Sequence, residues 1–304
     1  MNYNRDFLWT ELLVTPHVKI RMMPELPEVE TVRRRLAEIL PGKNIQTVQV
    51  LREKSFQGDI EKLLDQPILE ITRRAKLIRI HFPHQLNLLT HLKMTGQLIY
   101  LDDQSRVGGG HPTADWVLAL PSSHTRIIYQ FDDQSQLFFN DQRVFGWMQV
   151  MNDEEIAAMY QKYGPDVTDK SLTVEYLQDK LSQRRIPIKQ ALMMNEIMAG
   201  VGNIYASDAL NVAQISPMRE ARSLNQAELK KLLAAVKSVI NEALEQGGTT
   251  FDGKYVDVDG LAGGYQHRLK AYGREGERCW QCGGQIEKIK IGGRGTYYCP
   301  TCQS

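Results

Sequence analysis

Four cysteines near the carboxyl end constrain the fold more than any other feature of the sequence. They are the only cysteines of the chain, and they form two Cys-x2-Cys pairs with sixteen residues between the pairs. This spacing suits the tetrahedral coordination of a structural zinc ion. Two disulfide bonds are the alternative, but cytoplasmic proteins rarely keep disulfides. The sequence therefore predicts one structural Zn²⁺ held by Cys279, Cys282, Cys299 and Cys302.

The length and composition of the chain limit the classes of protein to which it can belong. With 304 residues, 42% of them hydrophobic, it is long enough for two domains and a small appended module. No stretch approaches the roughly 20 apolar residues that a membrane-spanning helix needs. The start of the chain also lacks the pattern of a secretory signal. We therefore expect a cytoplasmic protein, and the net charge of +1 does not by itself indicate nucleic-acid binding.

Strand-like and helical patterns divide the chain into regions. Nine short strand-like stretches between residues 45 and 150, including Trp116–Leu120, predict a sandwich or barrel. Helical spacing follows from Asp153, and six glycines at 247–264 predict a loop of the kind that often carries function. Between the cysteine pairs, alternating isoleucine and lysine with Gly292–Gly293 predict a β-hairpin.

The segment Met23–Glu30, which reads Met-Pro-Glu-Leu-Pro-Glu-Val-Glu, suggests a nucleophile. If Met23 is the initiator and is removed, Pro24 carries a free secondary amine, whereas an attached 1–23 segment would make its nitrogen an amide. A terminal amine titrates near about 7.7–8.0, so that about a tenth of it is neutral at pH 7. Attack by such an amine on a sugar carbon gives an iminium, an electron sink for elimination.

Two carboxylates accompany Pro24 at the predicted helix start. Glu25 is adjacent, and Glu28 follows one helical turn later, so both side chains can face the same site. A carboxylic acid there would protonate a departing oxygen. Capping of the helix is the alternative, because acidic residues and proline are common in first turns.

A third motif, Gly200-Val201-Gly202-Asn203-Ile204-Tyr205, lies between two helical segments. Such a turn offers backbone N–H groups to a phosphate. By itself it indicates no more than a tight turn.

Three segments together resemble bacterial formamidopyrimidine-DNA glycosylases, which repair 8-oxoguanine. They are the segment Met23–Glu30 (the head), the segment Gly200–Tyr205 (the middle motif) and the four-cysteine segment (the tail). The resemblance extends from Met23 to the last residue. It implies a monomeric, nucleoid-associated enzyme that acts on double-stranded DNA with oxidised bases. It also implies a glycosylase that removes oxidised purines through an N-terminal proline Schiff base, and a lyase that cleaves the abasic site by β,δ-elimination.

The resemblance assigns expected roles to individual residues. It implies that Pro24 is the nucleophile, Glu25 the acid, and Glu28 a carboxylate that orders the site. Lys76 would contact DNA beside the lesion, and Arg294 would grip the backbone around the damaged nucleotide. Further DNA-binding roles are implied for the residues that fill the gap left by the extruded base and for those that bind phosphate: Met94, Arg143 and Phe145 in the first group, Lys189 and Asn203 in the second.

The expected fold is α+β, with an N-terminal β-sandwich and flanking helices, a helix–two-turn–helix domain and a C-terminal zinc-ribbon hairpin. We expect residues 1–23 to be an extension from a misassigned start. The expected domains are 24–152 (catalytic), 153–265 (DNA-binding, with the lesion loop at 247–264) and 266–304 (zinc finger).

The sequence departs from the family pattern at two further places. Asp208 stands where the family more often has glutamate, and segment 108–115 lacks the expected basic and histidine pattern.

Three other functions are weighed against this one. An endonuclease VIII-like glycosylase for oxidised pyrimidines has the same fold, but Leu26 and Val29 favour the purine branch. A non-catalytic lesion-binding protein would result if residues 1–23 were retained. A zinc-ribbon transcription accessory protein would explain the tail but leave the head unexplained.

Overall fold

The computed structural model describes residues 24–111, 115, 118–249 and 263–304. The 1–23 extension, most of the 247–264 loop and part of segment 108–115 lie outside the described residues. Over the described residues the predicted α+β class is confirmed, with an amino-terminal pair of sheets, a helical region and a cysteine-bearing hairpin.

The first helix, α1, spans Leu26–Ile39. The Glu28 carboxylate accepts the backbone N–H of Glu25 at 2.8 Å, which satisfies a donor that a helix start would leave free. Pro27 is tolerated because the first turn needs no N–H from it. Apolar residues at helical spacing, among them Val32 and Leu36, are buried in the sandwich core.

The amino-terminal region is a sandwich of two five-stranded sheets. Its strands are β1 (Ile45–Val50), β2 (Phe56–Gln57), β3 (Glu70–Arg74), β4 (Leu77–His81), β5 (Leu86–His91), β6 (Gly96–Leu101), β7 (Arg106–Gly110), β8 (Thr125–Phe131), β9 (Gln136–Asp141) and β10 (Trp147–Asn152). The strand orders are β1-β8-β9-β6-β7 and β2-β10-β5-β4-β3. All these neighbours pair antiparallel except β2 and β10. Aromatic residues such as Tyr100, Phe131 and Phe139 fill the space between the sheets.

Three features of this region differ from the predicted strands. β2, which is only two residues long, was not expected. β7 was not expected, because its three consecutive glycines have low strand propensity. Helix α1 lies so close to this strand that a Cβ atom on Gly109 would be 2.3 Å from Val32 Cγ2, and a small residue is therefore required. The predicted strand Trp116–Leu120 is wrong for residues 118–120, which form no strand; residues 116 and 117 are not described.

Among the described residues the helical region has five helices. They are α2 (Asp153–Tyr160), α3 (Val174–Leu181), α4 (Ile188–Leu192), α5 (Asn203–Ala213) and α6 (Gln226–Glu245). Four of them pack around the region's own core, whereas the first, α2, packs against the sandwich through Ile156. Asn225 caps α6 by accepting the backbone N–H of Glu228. Leu26, although it begins α1, is buried in this second core.

The predicted hairpin near the carboxyl end is present. It pairs β11 (Glu287–Ile291) with β12 (Arg294–Tyr298) in antiparallel register. Gly292 and Gly293 form the turn with φ values of +55° and +78°, which glycine adopts without strain.

Among the described residues, no helix is long and apolar enough to cross a membrane.

Candidate active site and nucleic-acid interface

The head and middle motifs, far apart in sequence, meet at the start of α1. Leu26 donates its backbone N–H to the Gly200 carbonyl at 3.2 Å. Gly200 has φ = +103°, and a Cβ atom there would lie 2.5 Å from Leu26 Cδ1, so this position requires glycine. The contact places Pro24 and Glu25 beside the turn that precedes α5.

Glu25 is the buried carboxyl group at the centre of the site. Its exposed fraction is 2%, and its Oε1 accepts the backbone N–H of Ile204 at 3.0 Å. A Cβ atom on Gly202 would come within 2.2 Å of the carboxyl carbon, so this glycine makes room for the side chain. Among the described residues Oε2 has no hydrogen-bond partner. Burial raises the pKa of Glu25 to about 7, with the Lys76 ammonium opposing the rise. The group can therefore hold and donate a proton near neutral pH.

Glu28 links Glu25 to the base of the glycine-rich loop. One carboxylate oxygen, Oε2, accepts the Glu25 N–H. The other, Oε1, accepts the Tyr205 hydroxyl at 2.5 Å, the Thr249 N–H at 2.8 Å and the Thr249 hydroxyl at 2.9 Å. Glu28 thus fixes the start of α1, helix α5 and Thr249, near the start of the loop, relative to one another.

Lys76 and Arg294 line one cavity beside Glu25. The cavity has a volume of about 210 Å³, and Gly202 and Asn203 also line it. Lys76 is buried and donates to the Val201 carbonyl at 3.1 Å. Burial lowers the pKa of Lys76, and the Glu25 carboxylate opposes this shift. Arg294 is exposed at the tip of the hairpin. Two cations and the N-terminus of α5 therefore converge on a space that suits a phosphate.

Lys189 contacts Asn203, which lines this cavity, and joins the helical region to the hairpin. Its side chain is fully buried, and its Nζ donates to Asn203 Oδ1 at 2.7 Å, Thr296 Oγ1 at 2.8 Å and Gly295 O at 3.3 Å. Asn203 Nδ2 donates to the same Gly295 carbonyl at 3.1 Å. Burial lowers the pKa of Lys189 to about 7. In the structure the Lys189 ammonium thus donates to three partners within the protein, close to Arg294. The expectation was that it contacts phosphate directly.

The three residues expected to fill a vacated base position lie together on the sandwich. Met94 follows β5, whereas Arg143 and Phe145 follow β9. Arg143 Nη1 lies 3.1 Å from Met94 Sδ, and the Arg143 guanidinium carbon lies 4.7 Å from the centre of the Phe145 ring. Phe145 is 46% exposed. The group forms an exposed apolar and cationic projection.

The four cysteines converge as the sequence predicted. Their Sγ atoms all lie within 4.8 Å of one another. The Cys279–Cys302 and Cys282–Cys299 sulfur distances are 3.8 Å and 3.5 Å. A disulfide requires about 2.05 Å, whereas a tetrahedron with Zn–S bonds of about 2.3 Å has edges of about 3.8 Å. The donor set therefore fits one structural zinc ion.

Sequence reasoning missed Arg73, the first residue of the run that contains Lys76. Arg73 donates to Glu30 Oε2 at 2.9 Å and to Asp166 Oδ2 at 2.6 Å. Asp166 also accepts the Ala75 N–H at 2.8 Å, directly before Lys76. This ion-paired group ties the sandwich to the helical region. The arginine run was visible in the sequence, but its acidic partners lie too far along the chain to be identified.

Both carboxylate oxygens of Asp208, the residue expected to depart from the family pattern, accept hydrogen bonds. It is buried, and it accepts backbone N–H groups from Lys270 at 3.0 Å and from Ala271 and Tyr272 at 2.9 Å each. The Tyr265 hydroxyl donates to it as well, at 3.1 Å. The shorter side chain therefore still fastens α5 to the segment that leads into the hairpin.

Family models match three successive parts of the chain. The formamidopyrimidine-DNA glycosylase N-terminal domain matches residues 23–148, and the H2TH domain of the same enzymes matches residues 163–254. The zinc finger found in FPG and IleRS matches residues 276–304. Together with the geometry of the cysteines, this match confirms the predicted single structural zinc ion.

Relatives and solved structures resemble the chain over nearly all their length. The formamidopyrimidine-DNA glycosylase of Pelotomaculum thermopropionicum is 38% identical over 288 residues, covering 92% of this chain and 99% of the relative. That of an Exiguobacterium strain is 39% identical, with the same coverage. Lactococcus lactis Fpg, solved with DNA containing an abasic site and with DNA containing Fapy-dG, gives TM-scores of 0.82 and 0.80. Both structures are 29% identical, and the match covers 92% of this chain and 100% of theirs.

Proposed function

The chain belongs to the formamidopyrimidine-DNA glycosylase family, and from this premise we propose that it removes oxidised purines from duplex DNA and then cleaves the abasic site. It is a DNA-binding glycosylase of base-excision repair. The observation that best supports the finer proposal is the Glu25 carboxyl group. It is buried and lies directly after Pro24, and burial raises its pKa to about 7, so that it can hold a proton near neutral pH.

In the proposed first step, the Pro24 nitrogen attacks C1′ of the damaged nucleotide. The bond between C1′ and the base breaks, and the base leaves with the bonding electrons. The Pro24 nitrogen loses its proton as the new bond forms, which balances the proton that the base takes up. Glu25 then protonates the sugar ring oxygen as the ring opens, which leaves an iminium between C1′ and the proline. This step requires a free secondary amine, so the proposal includes Met23 as the working start and its removal.

In the proposed second stage, the iminium accepts electrons in two successive eliminations. Loss of a proton from C2′ expels the 3′ phosphate, and a further elimination expels the 5′ phosphate. Hydrolysis of the remaining iminium frees Pro24, and the two eliminations leave a one-nucleotide gap. Lys76 and Arg294 line the neighbouring cavity, which supports their assignment to the phosphates that flank the damaged nucleotide.

DNA distortion is assigned to the exposed projection of Met94, Arg143 and Phe145. Extruding a base leaves an unstacked gap, and an apolar side chain with a cation can occupy it. Asn203 lies at the first position of α5 and lines the same cavity as Arg294, which supports its assignment to phosphate binding. The Lys189 ammonium is enclosed by the protein and donates to Asn203. It would therefore contact only a phosphate that is bound at Asn203.

The proposed organisation follows the expected boundaries. Residues 24–152 carry the nucleophile, residues 153–265 form the helix–two-turn–helix domain with its lesion loop, and residues 266–304 form the zinc finger. We propose that the enzyme acts as a monomer on double-stranded DNA with oxidised bases.

A panel of lesions tests the proposed substrate class. Duplexes containing 8-oxoguanine, a formamidopyrimidine or thymine glycol are each cut by excess enzyme that begins at Pro24, and single-turnover excision rates are compared. We expect both purine lesions to be excised at least about tenfold faster than thymine glycol, the discrimination that one or two specific contacts supply. The opposite order would establish the endonuclease VIII-like alternative.

A further inference from the structure

A buried carboxylate fixes the loop that carries Arg143 and Phe145. Asp141 ends β9 and has an exposed fraction of 0%. Its Oδ2 accepts the backbone N–H groups of Phe145 at 2.7 Å and Gly146 at 2.6 Å. Its Oδ1 accepts the backbone N–H of Arg143 at 3.1 Å. One side chain thus binds three backbone donors of a loop only a few residues long.

Thr95 connects this loop to the one that carries Met94. The Thr95 hydroxyl donates to Asp141 Oδ1 and at the same time accepts the Arg143 N–H at 3.0 Å. Thr95 directly follows Met94 in the sequence, and it is buried. Asp141 and Thr95 therefore form one hydrogen-bonded unit that connects the two loops carrying the three projecting residues.

The loop needs this support because its backbone is strained. Val144, between Arg143 and Phe145, has φ = +56°, a left-handed conformation that is a genuine outlier for a β-branched residue. Such residues persist only where surrounding contacts determine their conformation. Gly146 completes the arrangement, because a Cβ atom there would lie 3.1 Å from Asp141 Oδ2 and 2.8 Å from the Phe139 ring.

The chemistry of the unit requires a carboxylate. Within the described part of the chain, the donors that reach the Asp141 carboxylate are neutral, and no ion pair compensates its charge. Each carboxylate oxygen accepts two hydrogen bonds: two donors bind Oδ1 and two bind Oδ2. An asparagine would offer one acceptor oxygen and direct an NH₂ group at backbone N–H donors. Removing a single acceptor therefore leaves buried N–H groups unsatisfied and frees the strained loop.

We propose that Asp141 and Thr95 are positioning residues that hold Met94, Arg143 and Phe145 ready to enter the duplex before DNA arrives. The inference rests on the proposed function of these three side chains in filling the gap. Pre-organised side chains lose less conformational freedom when they enter the DNA stack, so extrusion of the base becomes easier. Neither Asp141 nor Thr95 needs to touch DNA for this effect.

The test separates extrusion from the later chemistry. Thr95→Val, Asp141→Asn and Thr95→Ser are compared with the original enzyme, each beginning at Pro24. Two substrates carry the same 8-oxoguanine, one in a paired duplex and one in an unpaired bulge that needs little extrusion. A 2-aminopurine beside the lesion reports unstacking by stopped-flow fluorescence, and thermal unfolding shows that each variant is folded.

Thr95→Val is expected to slow both the fluorescence change and excision from the duplex by about tenfold, because the variant loses the hydrogen bond donated to Asp141 and the one accepted from the Arg143 N–H. Excision from the bulge should change less than about twofold, and Thr95→Ser, which keeps the hydroxyl, should restore the rate on the duplex. Equal losses on both substrates, or no loss on the duplex, would overturn the inference. Asp141→Asn should change the rates on the two substrates in the same way as Thr95→Val. If Asp141→Asn does not fold, the rates of Thr95→Val alone test the inference.

Phe145→Ala distinguishes this inference from the proposed function itself. If Phe145→Ala slows the duplex reaction while Thr95→Val and Asp141→Asn do not, the projection acts on DNA and only the positioning inference fails. If Phe145→Ala leaves the duplex reaction unchanged, the proposed role of the projection fails, and the inference fails with it.

Discussion

Replacing Glu25 by glutamine is expected to slow excision of 8-oxoguanine from duplex DNA by about 10²- to 10⁴-fold, the usual contribution of a general acid. Glutamine keeps an acceptor for the Ile204 N–H, so the start of α1 should remain in place. It cannot donate the proton that opens the sugar ring. Single-turnover excision measures the loss, and some lyase activity on a preformed abasic site should survive.

Two controls separate a catalytic role of Glu25 from a structural one. Glu38→Gln makes the same exchange on the exposed face of α1 and should leave the rate unchanged. Glu25, whose pKa is raised to about 7, must be protonated, whereas the terminal amine, which titrates at about 7.7–8.0, must be neutral. Original activity should therefore level off between about pH 7 and 8 and fall above about pH 8 by roughly tenfold per unit. The residual activity of Glu25→Gln should lack this fall. Full excision by Glu25→Gln would remove the residue from its proposed role.

Replacing Cys282 by serine should release the zinc ion and abolish DNA binding, while the amino-terminal sandwich stays folded. A structural zinc site contributes about 10–16 kcal/mol to folding of its module at pH 7, and loss of one thiolate removes most of that stabilisation. The hairpin carries Arg294 and contacts Lys189 and Asn203, so its collapse disorganises the phosphate cavity. Zinc content and affinity for an abasic-site duplex provide the two measurements.

A conservative change within the same module controls for general damage. Thr301→Ser alters an exposed residue between Cys299 and Cys302 without removing a sulfur ligand, and it should keep both zinc and DNA binding. If Cys282→Ser lost zinc yet bound DNA as before, the zinc finger would be dispensable for recognition.

Local patterns were sufficient to predict much of the fold. The cysteine spacing predicted the zinc site, helical spacing after Pro27 predicted α1, and the comparisons confirm the family that the three motifs resemble. These features depend on residues close together in the sequence. β7 was missed for the opposite reason, because a glycine strand is stabilised by its neighbours and by close contact with α1 rather than by its own propensity.

The candidate site was less accessible from local patterns. Glu25 accepts a hydrogen bond from Ile204 across 179 residues, and no spacing rule connects such positions. Only the resemblance placed the two motifs in one site. The enclosure of Lys189 by Asn203, Gly295 and Thr296 was not expected, because burial of a lysine depends on a hairpin that comes about a hundred residues later. The roles of these residues stay predictions until they are tested.

Covalent trapping tests whether Pro24 is the nucleophile. The protein, made from its own gene with its natural start region, is incubated with an 8-oxoguanine duplex and borohydride, which reduces an iminium to a stable amine. Mass spectrometry then locates the crosslinked residue. We expect an adduct on the nitrogen of Pro24 in a chain that begins at Pro24. No adduct in a protein that retains residues 1–23 and still binds the lesion would contradict it and favour a non-catalytic lesion-binding protein.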